Sequence, residues 1–221
     1  MQTAGIQKYP SASQADPSIV TALRDIPVAL LSDNLHRNCG SVGLHPYHRP
    51  GPLAGTAVTV RTRGGDNLAV LRAFEFCRPG DVMVVDAGGD VSNAVIGGIL
   101  SFYAASIGLA GMVIDGAIRD VAEIGERKFP VYARGVNHRG PYKDGPGEIN
   151  VAISVGGMAV RPGDLVVGDR DGLLAFGPEI AGWLIEKALA QRAKEGETMR
   201  VMREGRWDRS FIDALEARCV N

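Results

Sequence analysis

The stretch Gly108–Asp120, which reads GLAGMVIDGAIRD, decides the fold that this sequence predicts. Its apolar run Met112–Asp115 is typical of a strand that is buried on both faces, as in a parallel sheet. Gly116 predicts a turn after that strand, and a short helix is predicted over Arg119–Arg127. Ligand sites of parallel sheets lie beyond the carboxyl ends of the strands. The polar residues that end this stretch are therefore candidates for a site.

The neighbouring segments continue the alternation of strands and helices. A second apolar run, Val82–Asp86, precedes a helix predicted over Asn93–Ile107, and Pro130–Ala133 is predicted as the third strand of this unit. Strand, helix, strand, helix and strand in this order indicate crossover connections and a local parallel sheet. Upstream, Thr56–Arg63 alternates β-branched and polar residues, which indicates another strand. These patterns together predict an α/β fold.

The two ends of the chain are predicted to differ from this unit. Residues 1–16 are predicted as a flexible leader and residues 17–221 as a single domain. Asp16-Pro17 is a helix start, because Asp is a good N-cap and Pro fits the first helical turn, and this helix is predicted to run to about Asn38. A helical extension is predicted over about residues 178–221. Before it, short strands separated by turns are predicted at Val151–Val155, Val166–Gly168 and Leu173–Phe176.

Composition excludes several classes of protein. Among 221 residues, 24 basic and 25 acidic ones leave a net charge of −1, so no nucleic-acid binding by bulk charge is predicted. The longest apolar stretch, Ala94–Leu109, is interrupted by glycine and serine and is shorter than the roughly 20 residues that span a bilayer, so no membrane insertion is predicted. Three widely spaced cysteines indicate reduced thiols and a cytoplasmic protein: Cys39, Cys77 and Cys219.

Two short motifs carry the chemistry that this sequence suggests. Gly97-Gly98-Ile99-Leu100 is rich in glycine, and the free N–H groups of a helix that starts there can hold an anion. Twenty residues separate Gly98 from Arg119-Asp120. Arginine binds a carboxylate through two parallel hydrogen bonds, and aspartate supplies the hard oxygen ligand that Mg²⁺ prefers. The combination predicts a small carboxylic acid bound beside a divalent cation.

Simpler interpretations of these residues stay open. Paired glycines also allow close helix packing, and an acidic residue at a helix start also interacts with the helix dipole. Four polar residues near the strand ends offer acid–base or hydrogen-bonding groups, or merely cap loops: Asp86, Asp90, Ser92 and Asn93. The histidines lack the spacing of a metal site: His36, His45, His48 and His138.

Three stretches resemble the RraA-like proteins, a family that includes the class II 4-hydroxy-4-methyl-2-oxoglutarate/4-carboxy-4-hydroxy-2-oxoadipate aldolases. They are Gly97–Leu100, Gly108–Asp120 and Gly147–Leu173, and the similarity extends over about residues 27–197. The resemblance implies a layered α/β sandwich of the RraA/phosphohistidine-domain type. It also implies homotrimers or homohexamers in which C-terminal helices reach a neighbouring subunit and the active sites lie between subunits.

The resemblance further implies roles for individual residues. Asp120, together with water molecules, would hold Mg²⁺ or Mn²⁺, and Arg119 would bind the pyruvyl oxygens. The amides of Ile99 and Leu100 would bind the substrate carboxylate. The whole substrate-binding stretch comprises Gly97, Gly98, Ile99 and Leu100.

Two further positions bear on the aldolase chemistry. In the aldolases an acidic residue from a neighbour's C-terminal helix contributes to the site, and Glu195 matches its position best, with Glu197 next. The well-studied aldolases also carry an aspartate, which helps to hold metal-bound water, where this chain has Gly98.

The function that the resemblance implies is a divalent-metal-dependent carbon–carbon lyase that acts on 2-oxo acids through a pyruvate enolate. Aldol cleavage of a 4-hydroxy-2-oxo acid and decarboxylation of oxaloacetate share that enolate, so one site serves both. Two alternatives stay open. One is a non-catalytic regulator that binds a protein partner such as a ribonuclease. The other is a lyase or isomerase for a keto acid derived from a sugar acid, for which Gly98 makes room.

Overall fold

The computed structural model describes residues 5–37 and 39–219. Its strands are β1 Ile6–Lys8, β2 His45–Pro46, β3 Leu53–Thr62, β4 Asp81–Asp86, β5 Ala94–Ile96, β6 Gly111–Ile118, β7 Val131–Val136, β8 Gly147–Ile149, β9 Ile153–Val155, β10 Met158–Val160, β11 Leu165–Gly168 and β12 Leu173–Phe176. Its helices are α1 Pro17–Arg24, α2 Val28–Asn34, α3 Leu68–Ala73, α4 Gly98–Ser106, α5 Val121–Gly125, α6 Ala181–Arg203 and α7 Ser210–Cys219.

The main sheet has a parallel centre. Strands β3, β4, β6 and β7 lie side by side and run in the same direction, and β5 pairs with the carboxyl end of β6. Strands β8 and β11 pair antiparallel with β3, and β1, β2 and β12 complete the sheet. Within the described residues, β9 and β10 form a separate antiparallel pair. The predicted α/β class is confirmed.

Both faces of this sheet are buried, because successive residues of a strand point to opposite sides. On β4, Met83 and Val85 belong to a core cluster that includes residues of α3 and α4. Val82 and Val84 belong to a second cluster, on the other face, together with Tyr132 and residues of β9 and β10. A third cluster joins α1, α2 and α6 to β11 and β12. The continuous apolar run of β4 therefore reflects a strand between two packed layers.

The beginning of the chain differs from the prediction. Ile6–Lys8, predicted within the flexible leader, forms β1 and pairs with β8. Asp16 caps α1 as predicted, since its carboxylate accepts the Ser18 N–H at 2.8 Å. The single helix predicted after it is divided into α1 and α2, because Pro27 disfavours a helical conformation of the residue before it. The predicted end of that helix, Asn38, lies outside the described residues.

The segment around Gly97 also differs from the prediction. Instead of one helix over residues 93–107, the chain forms β5, passes through an extended Gly97 (φ −150°, ψ −160°), and begins α4 at Gly98. Downstream, α5 begins at Val121 rather than at Arg119, because Arg119 still hydrogen-bonds to β5. The motif that begins at Gly97 therefore directly follows β5, and the motif Arg119-Asp120 directly follows β6.

The predicted C-terminal helical extension consists mainly of α6 and α7. Many of its apolar side chains are exposed: Trp183, Leu189, Met199, Met202, Trp207, Phe211, Ile212 and Leu215. Contact of these helices with a neighbouring subunit stays a prediction. None of the helices in the described part of the chain is both long and apolar enough to cross a membrane.

Two of the three cysteines are described as free thiols. Cys39 and Cys77 form no disulfide, and burial raises the pKa of Cys77 to about 12. Cys77 is partly buried and packs against the main core cluster. The side chain of Cys219 lies outside the described part of the structure.

Candidate active site

A pair of parallel strands brings the two predicted motifs together. Strand β5 lies beside the end of β6, with Ile96 opposite Ile118. The Arg119 N–H donates to the Ile96 carbonyl at 3.0 Å, which extends this pairing by one residue. Gly97 and Arg119, which follow the two strands, are therefore neighbours despite their distance in sequence.

The Asp120 carboxylate lies at the amino end of α4. The Gly98 N–H donates to Asp120 Oδ2 at 3.0 Å, and Arg119 Nε lies 3.6 Å from the same oxygen. A Cβ at Gly97 would overlap Asp120 Oδ2 and the side chain of Arg119, so a larger residue there would displace both side chains. Among the described residues, both of these contacts involve Oδ2, so Oδ1 is available as a cation ligand.

The backbone of Asp120 is in the left-handed region, with φ 58° and ψ 35°. Aspartate tolerates this region better than most residues, because its short polar side chain can hydrogen-bond locally. Such conformations in non-glycine residues are concentrated at functional sites. The conformation is consistent with a constraint on where this carboxylate points.

Arg119 and Asp120 line a cleft of about 220 Å³. Its apolar wall includes Leu71, Val95, Ile96 and Leu100. This volume is below the ~300 Å³ at which sites for drug-sized ligands begin, so the cleft suits a small acid. A larger groove of about 520 Å³ lies between α1 and β11 and contains none of the predicted site residues.

Lys143 and Asn67 also line the cleft, and sequence reasoning missed both. Lys143 lies in the loop of residues 140–147, which is rich in glycine and proline, and a single lysine in such a loop gives no periodic signal. Asn67 is only 4% exposed, and its Nδ2 donates to the Val95 carbonyl at 3.1 Å. Its Oδ1 is buried without a hydrogen-bond partner among the described residues. An unpaired acceptor beside a cleft marks a place for a water or ligand donor.

Glu123 fills the space beside Gly98. A Cβ at Gly98 would overlap the Glu123 carboxylate, which forms an ion pair with Arg127. Arg127 Nη1 also donates to the Gly98 carbonyl at 3.1 Å. A carboxylate from α5 thus occupies the room that a side chain at position 98 would need.

The loop after β7 packs against Arg119. A Cβ at Gly140 would lie 2.8 Å from Arg119 Nη1, so the backbone approaches the guanidinium closely there. Asn93 Nδ2 donates to the Gly140 carbonyl at 2.7 Å. Asn93 therefore holds this loop, in agreement with the loop-capping interpretation of its sequence position.

The other acidic candidates near the strand ends stabilise loops. Asp86 accepts the Gly88 N–H at 3.0 Å. Asp90 accepts the hydroxyl and the N–H of Ser92, and these hydrogen bonds lower the pKa of Asp90. Neither carboxylate lines the cleft. We therefore assign both to the local loop structure.

The acidic residues of α6 lie away from the cleft of their own chain. Glu195 accepts a hydrogen bond from Gln191 Nε2 at 2.9 Å. Glu197 is bound by Arg200, whose hydrogen bond lowers the pKa of Glu197. Neither residue lines the cleft. Their approach to an active site requires a neighbouring subunit and stays a prediction.

The donor set at the cleft fits a hard divalent cation. Within the described residues, no group of three His, Cys, Asp or Glu side chains could hold a metal ion. Mg²⁺ typically binds through one or two carboxylates and keeps several waters, whereas Zn²⁺ takes at least three protein ligands. The Asp120 carboxylate is the kind of hard oxygen ligand that a hard cation such as Mg²⁺ takes.

The sequence is similar to proteins named as aldolases. A family model described as Aldolase/RraA matches residues 28–175. A Halalkalibacterium halodurans protein with the provisional name 4-hydroxy-4-methyl-2-oxoglutarate aldolase is 40% identical over 185 residues, which cover 83% of this chain and 88% of that protein. An Arabidopsis thaliana protein with the same provisional name, numbered 3, is 35% identical over 142 residues, or 62% of this chain and 85% of that protein.

The structure is also similar to proteins described as inhibitors. Streptomyces coelicolor RraAS2, described as an unusual member of the RNase ES inhibitor RraA protein family, matches with a TM-score of 0.78 at 27% identity. The match covers 85% of this chain and 98% of that one. One fold thus carries relatives named for catalysis and relatives named for inhibition.

Proposed function

The chain belongs to the RraA-like family, and on that premise we propose that it is a divalent-metal-dependent carbon–carbon lyase for 2-oxo acids. The observation that carries the proposal is the Asp120 carboxylate, which has one oxygen left for a cation beside Arg119 and the start of α4. Its substrates are 4-hydroxy-2-oxo acids, oxaloacetate or both. In each of them the C3–C4 bond breaks and a pyruvate fragment remains.

The start of α4 binds the carboxylate at the 2-oxo end of the substrate. Ile99 and Leu100 belong to the first turn of a nine-residue helix, where backbone N–H groups have no partner within the helix. These N–H groups and the helix dipole favour an anion. Arg119 adds a planar pair of donors for the pyruvyl oxygens.

Arg119 also stabilises the charge that develops during the reaction. When the C3–C4 bond breaks, its electron pair moves toward the C2 keto oxygen. A divalent cation held by Asp120 supplies further positive charge at that oxygen when it is bound. Arg119 N–H groups placed at that oxygen would interact with it more strongly as its negative charge grows.

Lys143 favours substrates with a second carboxylate. Arg119 and α4 account for the 2-oxo end of the substrate, which leaves Lys143, a basic residue that also lines the cleft, for an anionic group at the other end. Oxaloacetate and 4-hydroxy-2-oxo acids with a terminal carboxylate carry such a group. A dicarboxylic acid therefore matches the charges of the cleft better than a monocarboxylic one.

We further propose that the active protein is a cytoplasmic homotrimer or homohexamer with sites between subunits. Next to the cleft, Ile99 is 80% and Phe102 is 61% exposed on the outer side of α4. Apolar side chains are also exposed along α6 and α7. Contact between such surfaces of two copies would bring Glu195 of a neighbouring subunit toward the cleft, where its carboxylate would accept the proton that the 4-hydroxyl group of a 4-hydroxy-2-oxo acid loses as the C3–C4 bond breaks.

Pyruvate release from oxaloacetate tests the lyase proposal. The assay runs with Mg²⁺ or Mn²⁺ and then with EDTA, and the rate without enzyme is subtracted because free cations also decarboxylate oxaloacetate. We expect activity that needs the metal and a fall in kcat/KM of about 100-fold or more in Arg119→Ala and Asp120→Asn. Asp90→Asn, which changes a loop carboxylate outside the cleft, is the control. Metal-independent turnover, or full activity in Asp120→Asn, would contradict the proposal.

A second candidate function is a non-catalytic regulator that binds a protein partner. The similarity to RraAS2 and the glycine at position 98 favour it. This function predicts no metal-dependent turnover and a binding surface outside the cleft. A pull-down with a ribonuclease of the RNase E type separates the two functions, because Arg119→Ala would abolish lyase activity and leave such a complex intact.

A further inference from the structure

Asp66 is a buried charge that the proposed reaction does not use. Its side chain is 0% exposed, and an isolated buried carboxylate is costly unless several donors surround it. Oδ1 accepts the Leu68 N–H at 2.9 Å, at the start of α3. Oδ2 accepts the N–H groups of Asp144 and Gly145 at 2.7 and 3.0 Å, and Arg63 Nη2 lies 3.2 Å away. One carboxylate thus joins a helix start to the loop that lines the cleft.

Backbone hydrogen bonds hold the other half of this loop. The Tyr142 N–H donates to the Gly65 carbonyl at 2.8 Å, and the Asn67 N–H donates to the Tyr142 carbonyl at 3.0 Å. Lys143 lies between the two attachments in sequence. Tyr142, before it, forms the backbone hydrogen bonds, and the N–H groups of the two residues after it donate to Asp66. The position of Lys143 in the cleft therefore depends on attachments on both sides.

We propose that Asp66 is a positioning residue that fixes the loop of residues 142–145 and thereby places Lys143 to bind the second carboxylate of a dicarboxylic 2-oxo acid. The substrate part of this inference rests on the proposed function. The attachment of the loop to Asp66 is independent of the proposed function, because it follows from the hydrogen bonds alone.

Asp66→Asn tests whether the carboxylate holds the loop, because asparagine has nearly the same shape as aspartate. An amide has one acceptor oxygen and one donor nitrogen, so it cannot accept hydrogen bonds on both sides. Its oxygen can serve either the Leu68 N–H or the loop. If it serves Leu68, the amide nitrogen faces the N–H groups of Asp144 and Gly145, and the loop is released.

Asp81 offers a matched control. Its side chain is also 0% exposed, and it accepts hydrogen bonds from Gln14 Nε2 and the Arg78 N–H, both at 2.8 Å. None of these residues lines the cleft. Asp81→Asn therefore removes a comparable buried charge without touching the loop of Lys143.

Steady-state kinetics with oxaloacetate form the first part of the test. We expect Asp66→Asn to raise KM about tenfold and to change kcat by less than about threefold, because it removes binding that is uniform through the reaction. Asp81→Asn is expected to leave KM unchanged. In a Lys143→Ala background, Asp66→Asn is expected to raise KM no further. An equal KM effect of Asp66→Asn in both backgrounds, or no effect in either, would overturn the inference.

Amide hydrogen exchange forms the second part and does not depend on activity. The N–H groups of Asp144 and Gly145 are expected to exchange at least about tenfold faster in Asp66→Asn and at an unchanged rate in Asp81→Asn.

If Asp66→Asn does not fold, Asp144→Pro removes one loop donor and leaves the buried carboxylate in place, with the same expected rise in KM. A wild-type protein without lyase activity would refute the proposed function and the substrate part, whereas unchanged exchange in Asp66→Asn would refute the attachment of the loop.

Discussion

At the scale of single residues, the space beside Gly98 is filled by the side chain of Glu123. The resemblance to aldolases implies that an aspartate would stand where this chain has Gly98. In the structure, the Glu123 carboxylate fills the adjacent space and is held by Arg127. The sequence could not reveal this, because Glu123 reads only as a polar residue on a short helix. Glu123 therefore occupies the space that a side chain at position 98 would need.

Gly98→Ala tests this packing. The added Cβ must displace Glu123 from Arg127, so we expect the free energy of unfolding to fall by about 0.5–1 kcal/mol. In a Glu123→Ala background the same change is expected to stabilise by about 0.5 kcal/mol, because alanine favours a helix more than glycine does. Urea denaturation measures both. Gly182→Ala, where a Cβ meets no atom within 4 Å, is the control. Equal effects in the two backgrounds would refute the packing argument.

Asp120 combines a side-chain role with an unusual backbone. Asparagine tolerates the left-handed region about as well as aspartate, whereas alanine loses about 1 kcal/mol or more there. We therefore expect Asp120→Asn to unfold at nearly the urea concentration of the wild type, and Asp120→Ala to be less stable by about 1 kcal/mol. Identical stabilities of the two variants would show that the backbone conformation stores no strain.

At the scale of secondary-structure elements, the central strands were predictable and the short ones were not. Val82–Asp86 and Met112–Asp115 are apolar runs between turn residues, and both form buried strands. Ala94–Ile96 is too short to show a period, so it was indistinguishable from the helix that follows. The pairing of β5 with β6 is nevertheless what joins the two motifs. The spacing of the two motifs in the sequence therefore suggested Gly97–Leu100 and Arg119-Asp120 as candidates for a site. It did not reveal β5, the strand that brings them together.

Asp115 links three elements of the structure. It is 5% exposed, and its carboxylate accepts hydrogen bonds from Arg134 Nε on β7 and from the Gly156 N–H at 2.7 Å, in the turn between β9 and β10. We expect Asp115→Asn to lower the free energy of unfolding by about 2 kcal/mol, because either Arg134 Nε or the Gly156 N–H loses its acceptor. Urea denaturation checks this. A loss no larger than that of Asp90→Asn, which affects only one loop, would contradict it.

At the scale of the whole molecule, local sequence patterns predicted the α/β class of the fold but not all the strand pairings of the sheet. Alternating strands and helices identified the parallel centre around β4 and β6. The pairing of β3 with β8 and β11, and of β1 with β8, joins segments far apart in sequence, and no local pattern encodes it. For this reason Ile6–Lys8 was predicted as leader although it lies in the sheet.

The exposed apolar side chains beside the cleft lead to a prediction about assembly. We expect the wild-type protein to sediment as a trimer or hexamer, and Phe102→Asp to shift it toward smaller species, because a charge would be buried at the interface. Val42→Asp is the control, since Val42 is an exposed apolar residue outside α4. Sedimentation velocity measures all three proteins. A monomeric wild type would refute sites formed between subunits.

A crystal grown with Mn²⁺ and pyruvate tests the central claim most directly. The measurement is an anomalous difference map at the manganese edge. The account predicts a peak at about 2.1 Å from Asp120 Oδ1, a usual distance between Mg²⁺ and an oxygen ligand. It also predicts the pyruvate carboxylate on the Ile99 and Leu100 amides and the keto oxygen of pyruvate facing Arg119. A cleft without manganese at saturating concentration, or pyruvate bound away from Arg119, would contradict it.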